Sequence, residues 1–195
     1  MSREADAVRR ACDALARHDR KSAASLLVVQ IPFRPIRPSR RSTNPDAALR
    51  VFLRDGFLDR YSGEQLVFPG VLRLLSHLFP EVVPYHPNGK AGATHPIYWS
   101  LQPTLDHVLP LARGGQDEPA NLVTTSMLRN AIKGQWTLEE LGWELRAPGA
   151  LAAWDGLMGW FCDHARGTGD GLGVPAVKRW YLAAVRAGGT REQAV

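Results

Sequence analysis

Apolar residues recur at helical spacing near the start of the chain. Ala5, Val8, Ala11, Cys12, Leu15 and Ala16 fall at i, i+3, i+4 intervals, with Arg9, Arg10, Arg17 and Lys21 off that stripe. The spacing predicts an amphipathic helix over residues 3–21. Leu26–Ile31 is a short, mostly apolar run of strand length and reads as a strand. Pro32–Pro45 then carries four prolines with Arg34, Arg37, Arg40 and Arg41 between them. Proline this dense excludes a helix or a central strand, so the stretch reads as an extended basic arm. Asn44-Pro45 is a cap and first-turn pair for a helix over Asp46–Asp55, closed by Gly56. Two short strands, Phe57–Arg60 and Gln65–Phe68, flank a turn at Tyr61-Ser62-Gly63. A helix over Gly70–Phe79 follows, then a proline-rich loop over residues 80–96.

Pro103–Leu109 alternates as a strand does, Gly114-Gly115 marks a turn, and a loop with acidic residues leads to an expected helix from Val123 to Lys133, ended by Gly134. Thr137 with Glu140 matches a capping box. Leu151–Ala165 and Pro175–Ala187 read as two further helices rich in Trp, Leu and Ala. The mixture is α+β with more helix than strand. It divides into an N-terminal helix with a basic arm over residues 1–53, a central module over 54–134, and a helical region over 135–195.

The 195 residues are 45% hydrophobic, enough for a real core. No stretch approaches the ~18 apolar residues of a membrane span, so no membrane partner is expected. Met1–Arg20 is charged throughout and lacks the apolar core of a secretory signal. Cys12 and Cys162 are the only cysteines and lie far apart, which argues against a disulfide framework or a cysteine-built zinc site. The expected setting is cytoplasmic. Net charge is +5, but it is uneven: residues 1–54 carry +7 and the remainder −2. A basic N-terminal excess either favours phosphate backbones through counterion release or serves as a solubilising face and linker.

The candidate chemistry lies in Leu105-Asp106-His107-Val108-Leu109-Pro110, the Gly114-Gly115 turn, Asn121-Leu122, Asn130 and Lys133. Hydrolysis of a phosphodiester needs a water deprotonated near neutral pH, and histidine is suited to take that proton. It also needs charge stabilisation on the phosphate, which a hard cation held by oxygen ligands supplies. His107 is the candidate base. Asp106 offers a carboxylate and Asn130 a carbonyl oxygen to the cation. Neighbours on a strand point to opposite faces, so Asp106 and His107 can take different roles. Asn121, at an expected loop-to-helix junction, is read as orienting the imidazole, or as a simple helix cap. Arg129 and Lys133 are read as phosphate contacts or as ordinary helix residues, and Arg34, Arg37, Arg40 and Arg41 as the best nucleic-acid contacts outside the site.

This pattern resembles the HNH endonuclease family. The Asp-His-Val-x-Pro run, the Gly-Gly turn, Asn121-Leu122, a polar residue nine positions on and Lys133 three beyond it all match in spacing. The resemblance implies a ββα-metal (His-Me finger) nuclease core with helical flanks, cutting DNA with RNA kept open as substrate. The family's third position is most often His and here is Asn130, similar to the HNH domain of RNA-guided DNA-cleaving effectors. That switch favours Mg²⁺ or Mn²⁺ over Zn²⁺ or Ni²⁺. Arg54–Glu64 is similar to a segment that in many such proteins carries a Cys-x-x-Cys pair for structural zinc. The matching positions are Asp59 and Ser62, so no structural zinc is expected, and Phe57, Tyr61, Leu66 and Phe68 are expected to hold that turn instead.

Two other functions fit the same residues: an inactive nucleic-acid-binding module of the same fold, and a toxin nuclease. His77, His86, His95 and His164 are read as structural or surface groups, and Trp143, Trp154, Trp160 and Trp180 as core. Cleavage specificity, nicking against double-strand cutting, and oligomeric state have no signal in the sequence.

Overall fold

A computed structural model describes residues 3–30, 44–90 and 92–188. The chain divides into two compact units, residues 1–39 and 40–195. The arm arginines Arg34, Arg37, Arg40 and Arg41 lie outside the described residues.

The first unit is a helical hairpin of α1 (Arg3–Ala16) and α2 (Arg20–Gln30). The single helix expected over 3–21 breaks because Asp19 caps a second one, its carboxylate accepting the amide of Ser22 at 3.0 Å. His18, at φ +62°, makes the turn. Leu26–Gln30 is therefore helix and not strand. The helix formers upstream and the cap outweigh the β-branched Val28 and Val29. The hairpin closes on Ala11, Ala14 and Ala23, so the buried stripe of α1 runs along its alanines. Cys12 and Leu15, placed on the buried stripe by spacing, are exposed.

The second unit is α+β. It starts with α3 (Pro45–Arg54), where Asn44 accepts the amide of Asp46 and Pro45 sits in the first turn. In place of two strands around Tyr61-Ser62-Gly63 there is one isolated bridge between Leu58 and Gln65. Next come α4 (Pro69–Leu78), the short α5 (Ile97–Leu101), β1 (Pro103–His107), β2 (Leu122–Ser126) and α6 (Met127–Lys133). The helix expected from Val123 starts four residues later. Ser126 caps α6 by accepting the amide of Arg129 at 3.1 Å, which releases Leu122–Ser126 to pair with β1. The sheet is antiparallel, with Leu105 opposite Thr124 and His107 opposite Leu122. After α7 (Leu138–Leu141), capped by the Thr137–Glu140 box, come α8 (Met158–Thr168) and α9 (Pro175–Arg186). Leu151–Leu157, expected as helix, forms turns and α8 begins only at Met158.

One core joins these elements. Leu49 and Phe52 of α3, Phe57, Phe68, Val71 and Leu74, Phe161 and Cys162 of α8, and Val177 and Ala184 of α9 pack together, with Leu105 of β1 against them. Residues 54–134 and 135–195 thus share apolar burial, worth about 1.5–3 kcal/mol for each large side chain. Trp154 and Trp180 pack on this core. Trp160 does not: it is 48% exposed and stacks on His164, because Phe161 and Cys162 beside it take the inward face of α8. Trp143 packs against Tyr61.

A two-stranded sheet has two bare edges, and each unpaired main-chain group there must find a partner if buried. Here side chains supply most of the partners, and the main-chain amide of Arg60 donates to the carbonyl of Thr124. Along β2, Asp55 accepts the amide of Thr124 (2.8 Å), Asp59 accepts that of Ser126 (2.8 Å), and Arg54 donates to the carbonyl of Leu122 (2.6 Å). Along β1, Asn130 donates to the carbonyl of Leu105 (3.0 Å) and Lys133 to that of His107 (2.7 Å). The i, i+2 spacing on each strand shows that one edge is served in each case. Among the described residues no helix is long and apolar enough to cross a membrane.

Candidate functional site

The strand order β1–β2–α6 brings Asp106 and Asn130 to the seam between β1 and α6, and His107 follows Asp106 on the same strand with its side chain directed to the loop. Asn130 and Lys133 lie three apart on α6, so both face β1. Leu105 carbonyl oxygen can only accept, which obliges the amide nitrogen of Asn130 to face it. The same nitrogen donates to Thr104 Oγ1 at 2.8 Å. Oδ1 of Asn130 is thereby turned away from these partners, and among the described residues no hydrogen bond falls on it.

Asp106 is buried on the α6 side of β1. Its Oδ2 accepts from the Tyr61 hydroxyl at 2.6 Å and lies 2.8 Å from Nζ of Lys133. Burial, then the nearby Asp106 carboxylate, hold the Tyr61 hydroxyl far above its ordinary proton affinity, so it stays a donor. Among the described residues no hydrogen bond falls on Oδ1 of Asp106. Lys133 is fully buried. Its ammonium is used by Asp106, by the His107 carbonyl and by the Tyr61 ring 5.8 Å away. The expected phosphate contact through Lys133 is corrected on that ground: a cation enclosed by protein does not reach a phosphate. Arg129 is half-buried with its guanidinium 5.5 Å from the centre of the Trp143 ring, and has no ion pair among the described residues.

The expected bond from Asn121 to the imidazole is also corrected. Asn121 precedes a strand, not a helix, and its amide is spent on the main chain. Oδ1 accepts the amide of Leu109, and Nδ2 donates to the carbonyls of Leu109 and Gln116, each at 2.9 Å. The side chain thus extends the pairing of the two strands, after the main-chain bond from Val108 to Asn121, and holds the loop between them in shape. Gly114, at φ +91°, turns this loop, and a Cβ at Gly115 would run into the Leu109 carbonyl.

His107 finds its partner in that loop: Nε2 lies 2.9 Å from Oδ1 of Asp117. Sequence reasoning missed Asp117, though a search for an acid to accompany the histidine would have found the Asp117-Glu118 pair. It also missed Tyr61 as a partner of Asp106, having read it as packing alone. Phe57, Tyr61, Leu66 and Phe68 are all buried in the turn they were expected to hold. Asp59 adds more: fully buried, it accepts from the amides of Tyr61, Ser62 and Ser126 and from the Thr125 hydroxyl.

A metal implied by the family pattern can be tested on these donors. The oxygens left over, Oδ1 of Asp106 and Oδ1 of Asn130, are hard donors. Among the described residues no three His, Cys, Asp or Glu side chains gather as a metal cluster. Two protein oxygens with the rest from water and phosphate suit Mg²⁺ or Mn²⁺, which keep several waters, and do not suit a closed Zn²⁺ site.

Three of the outlying histidines have local partners. His86 and His95 accept main-chain amides two residues on, and His164 pairs with Asp170. Compared with protein-family models, curated proteins and solved structures, the chain matches none.

Proposed function

We propose that the chain is a metal-dependent endonuclease of the HNH type, with β1, β2 and α6 as its ββα-metal core. The observation that carries this reading is His107, its Nε2 paired with Asp117 and its Nδ1 without a hydrogen-bond partner among the described residues, on the strand that also carries Asp106, whose Oδ1 is unclaimed like that of Asn130. Nδ1 of His107 takes a proton from water as the water oxygen bonds to phosphorus and the bond from phosphorus to the 3′-oxygen breaks. The leaving oxygen takes its proton from solvent. Asp106 and Asn130 would hold a Mg²⁺-type ion, which supplies positive charge to the phosphate and leaving oxygen. Asn121 keeps the loop that carries Asp117 in shape. Arg129 and the arginines of the basic arm, Arg34, Arg37, Arg40 and Arg41, provide phosphate contacts on DNA.

One observation favours a second reading, a nucleic-acid-binding module without activity. Lys133 already neutralises Asp106 inside the protein, which weakens the pull of that carboxylate on a dication. Supercoiled plasmid separates the two. The nuclease relaxes or linearises it in Mg²⁺ or Mn²⁺ and stops in excess chelator. A protein that binds the plasmid and never cuts it under any divalent ion is the module.

A further inference from the structure

The side chain of His107 is 17% exposed and that of Asp117 61%, with 2.9 Å between Nε2 and Oδ1. A carboxylate oxygen accepts hydrogen bonds and the neutral imidazole has one donor and one acceptor nitrogen. The nitrogen facing Asp117 is therefore the one that carries the proton, and Nδ1 keeps its lone pair. Asp117 is itself held in place. Its neighbour Gln116 gives its carbonyl to Asn121, and the same amide is clamped to Leu109 at 2.9 Å on both sides. Asn121 thus reaches the histidine through the loop, without touching the ring.

We propose that Asp117 is a positioning residue that holds His107 as the Nε2-protonated tautomer, leaving Nδ1 as the basic nitrogen, and that Asn121 fixes Asp117 by clamping the loop. What Nδ1 then does rests on the nuclease reading; the tautomer does not. This differs from a general stabilising role, because it assigns a proton to one atom of one ring.

The test is a two-bond proton–nitrogen correlation spectrum of the imidazoles in the ¹⁵N-labelled full chain at about pH 8, above the ordinary histidine range. In the wild type, His107 shows one tautomer with Nε2 protonated. Asp117→Ala moves the two nitrogen shifts toward each other as the tautomers mix, and Asp117→Glu restores the separation. In the plasmid assay Asp117→Ala lowers kcat by about 10–100-fold, the usual cost of losing such a partner, with KM unchanged. Wild-type nitrogen shifts in Asp117→Ala, or Nδ1 protonated in the wild type, overturn the proposal. If the tautomer responds as stated but the wild type never cuts, the proposal stands and the nuclease reading fails.

Discussion

Lys133 Nζ lies 2.8 Å from Oδ2 of Asp106, with the ammonium fully enclosed and the carboxylate nearly so. A buried pair of this kind contributes little net stability as a pair, but losing one partner strands the other. The same ammonium caps the His107 carbonyl, so it holds both the metal-candidate acid and the strand that carries the candidate base.

Lys133→Met is therefore expected to destabilise the protein by about 3–5 kcal/mol, the range for an orphaned buried charge. If the chain binds nucleic acid as proposed, the salt dependence of that affinity is expected to stay unchanged, because the Lys133 ammonium is enclosed by protein. Urea unfolding and a salt titration on the one variant check both. A flatter salt slope with intact stability contradicts the placement.

Asp59 has the same importance for β2. Asp59→Ala leaves three amides and the Thr125 hydroxyl without their acceptor. Each buried orphan costs about 1–3 kcal/mol, so a loss of at least ~3 kcal/mol in unfolding free energy is expected. Chelators are expected to leave the wild-type unfolding midpoint unmoved, since side-chain hydrogen bonds from Asp59 hold this turn. A midpoint that falls in chelator contradicts this.

Acid sensitivity follows from Asp55. Burial alone pushes its carboxyl up, but Arg54 and the Thr124 amide outweigh that and hold it below the ordinary carboxylate value. A depressed folded value means the stabilisation is complete above the unfolded value, about 4, and is lost as pH falls through the lower folded one. Asp55→Asn is expected to lower Tm at neutral pH and to flatten its decline below about pH 4. A variant as steep in acid as the wild type contradicts the assignment.

Most helices of the second unit and the strand β1 are legible in the sequence because their signals are local: Asn44-Pro45, the Thr137–Glu140 box, and the alternation through Asp106 and His107. The errors share a cause. Val123–Ser126 looks helical until Ser126 is recognised as a cap, and it becomes strand because a distant strand and two distant carboxylates, Asp55 and Asp59, supply its partners. Leu26–Gln30 looks like strand until Asp19 is recognised as a cap. Side-chain partners such as Asp117 for His107 depend on how a loop folds back, which no spacing encodes. The placement of Asp106 and Asn130 at the seam of β1 and α6 is legible because strand and helix periodicity turn both toward it. The roles of Asn121 and Lys133 are not, because both serve main-chain atoms that every residue has.

The central claim is that His107 removes a proton from water at a phosphodiester. It is tested most directly by the rate at which wild type and His107→Ala nick supercoiled plasmid in Mg²⁺, with plasmid binding measured alongside. Metal-dependent nicking by the wild type is expected, with a rate lower by about 10²–10⁴-fold in the variant, the range for a lost acid–base group, at nearly equal affinity. A variant that nicks at the wild-type rate, or a wild type that nicks equally well in excess chelator, contradicts it.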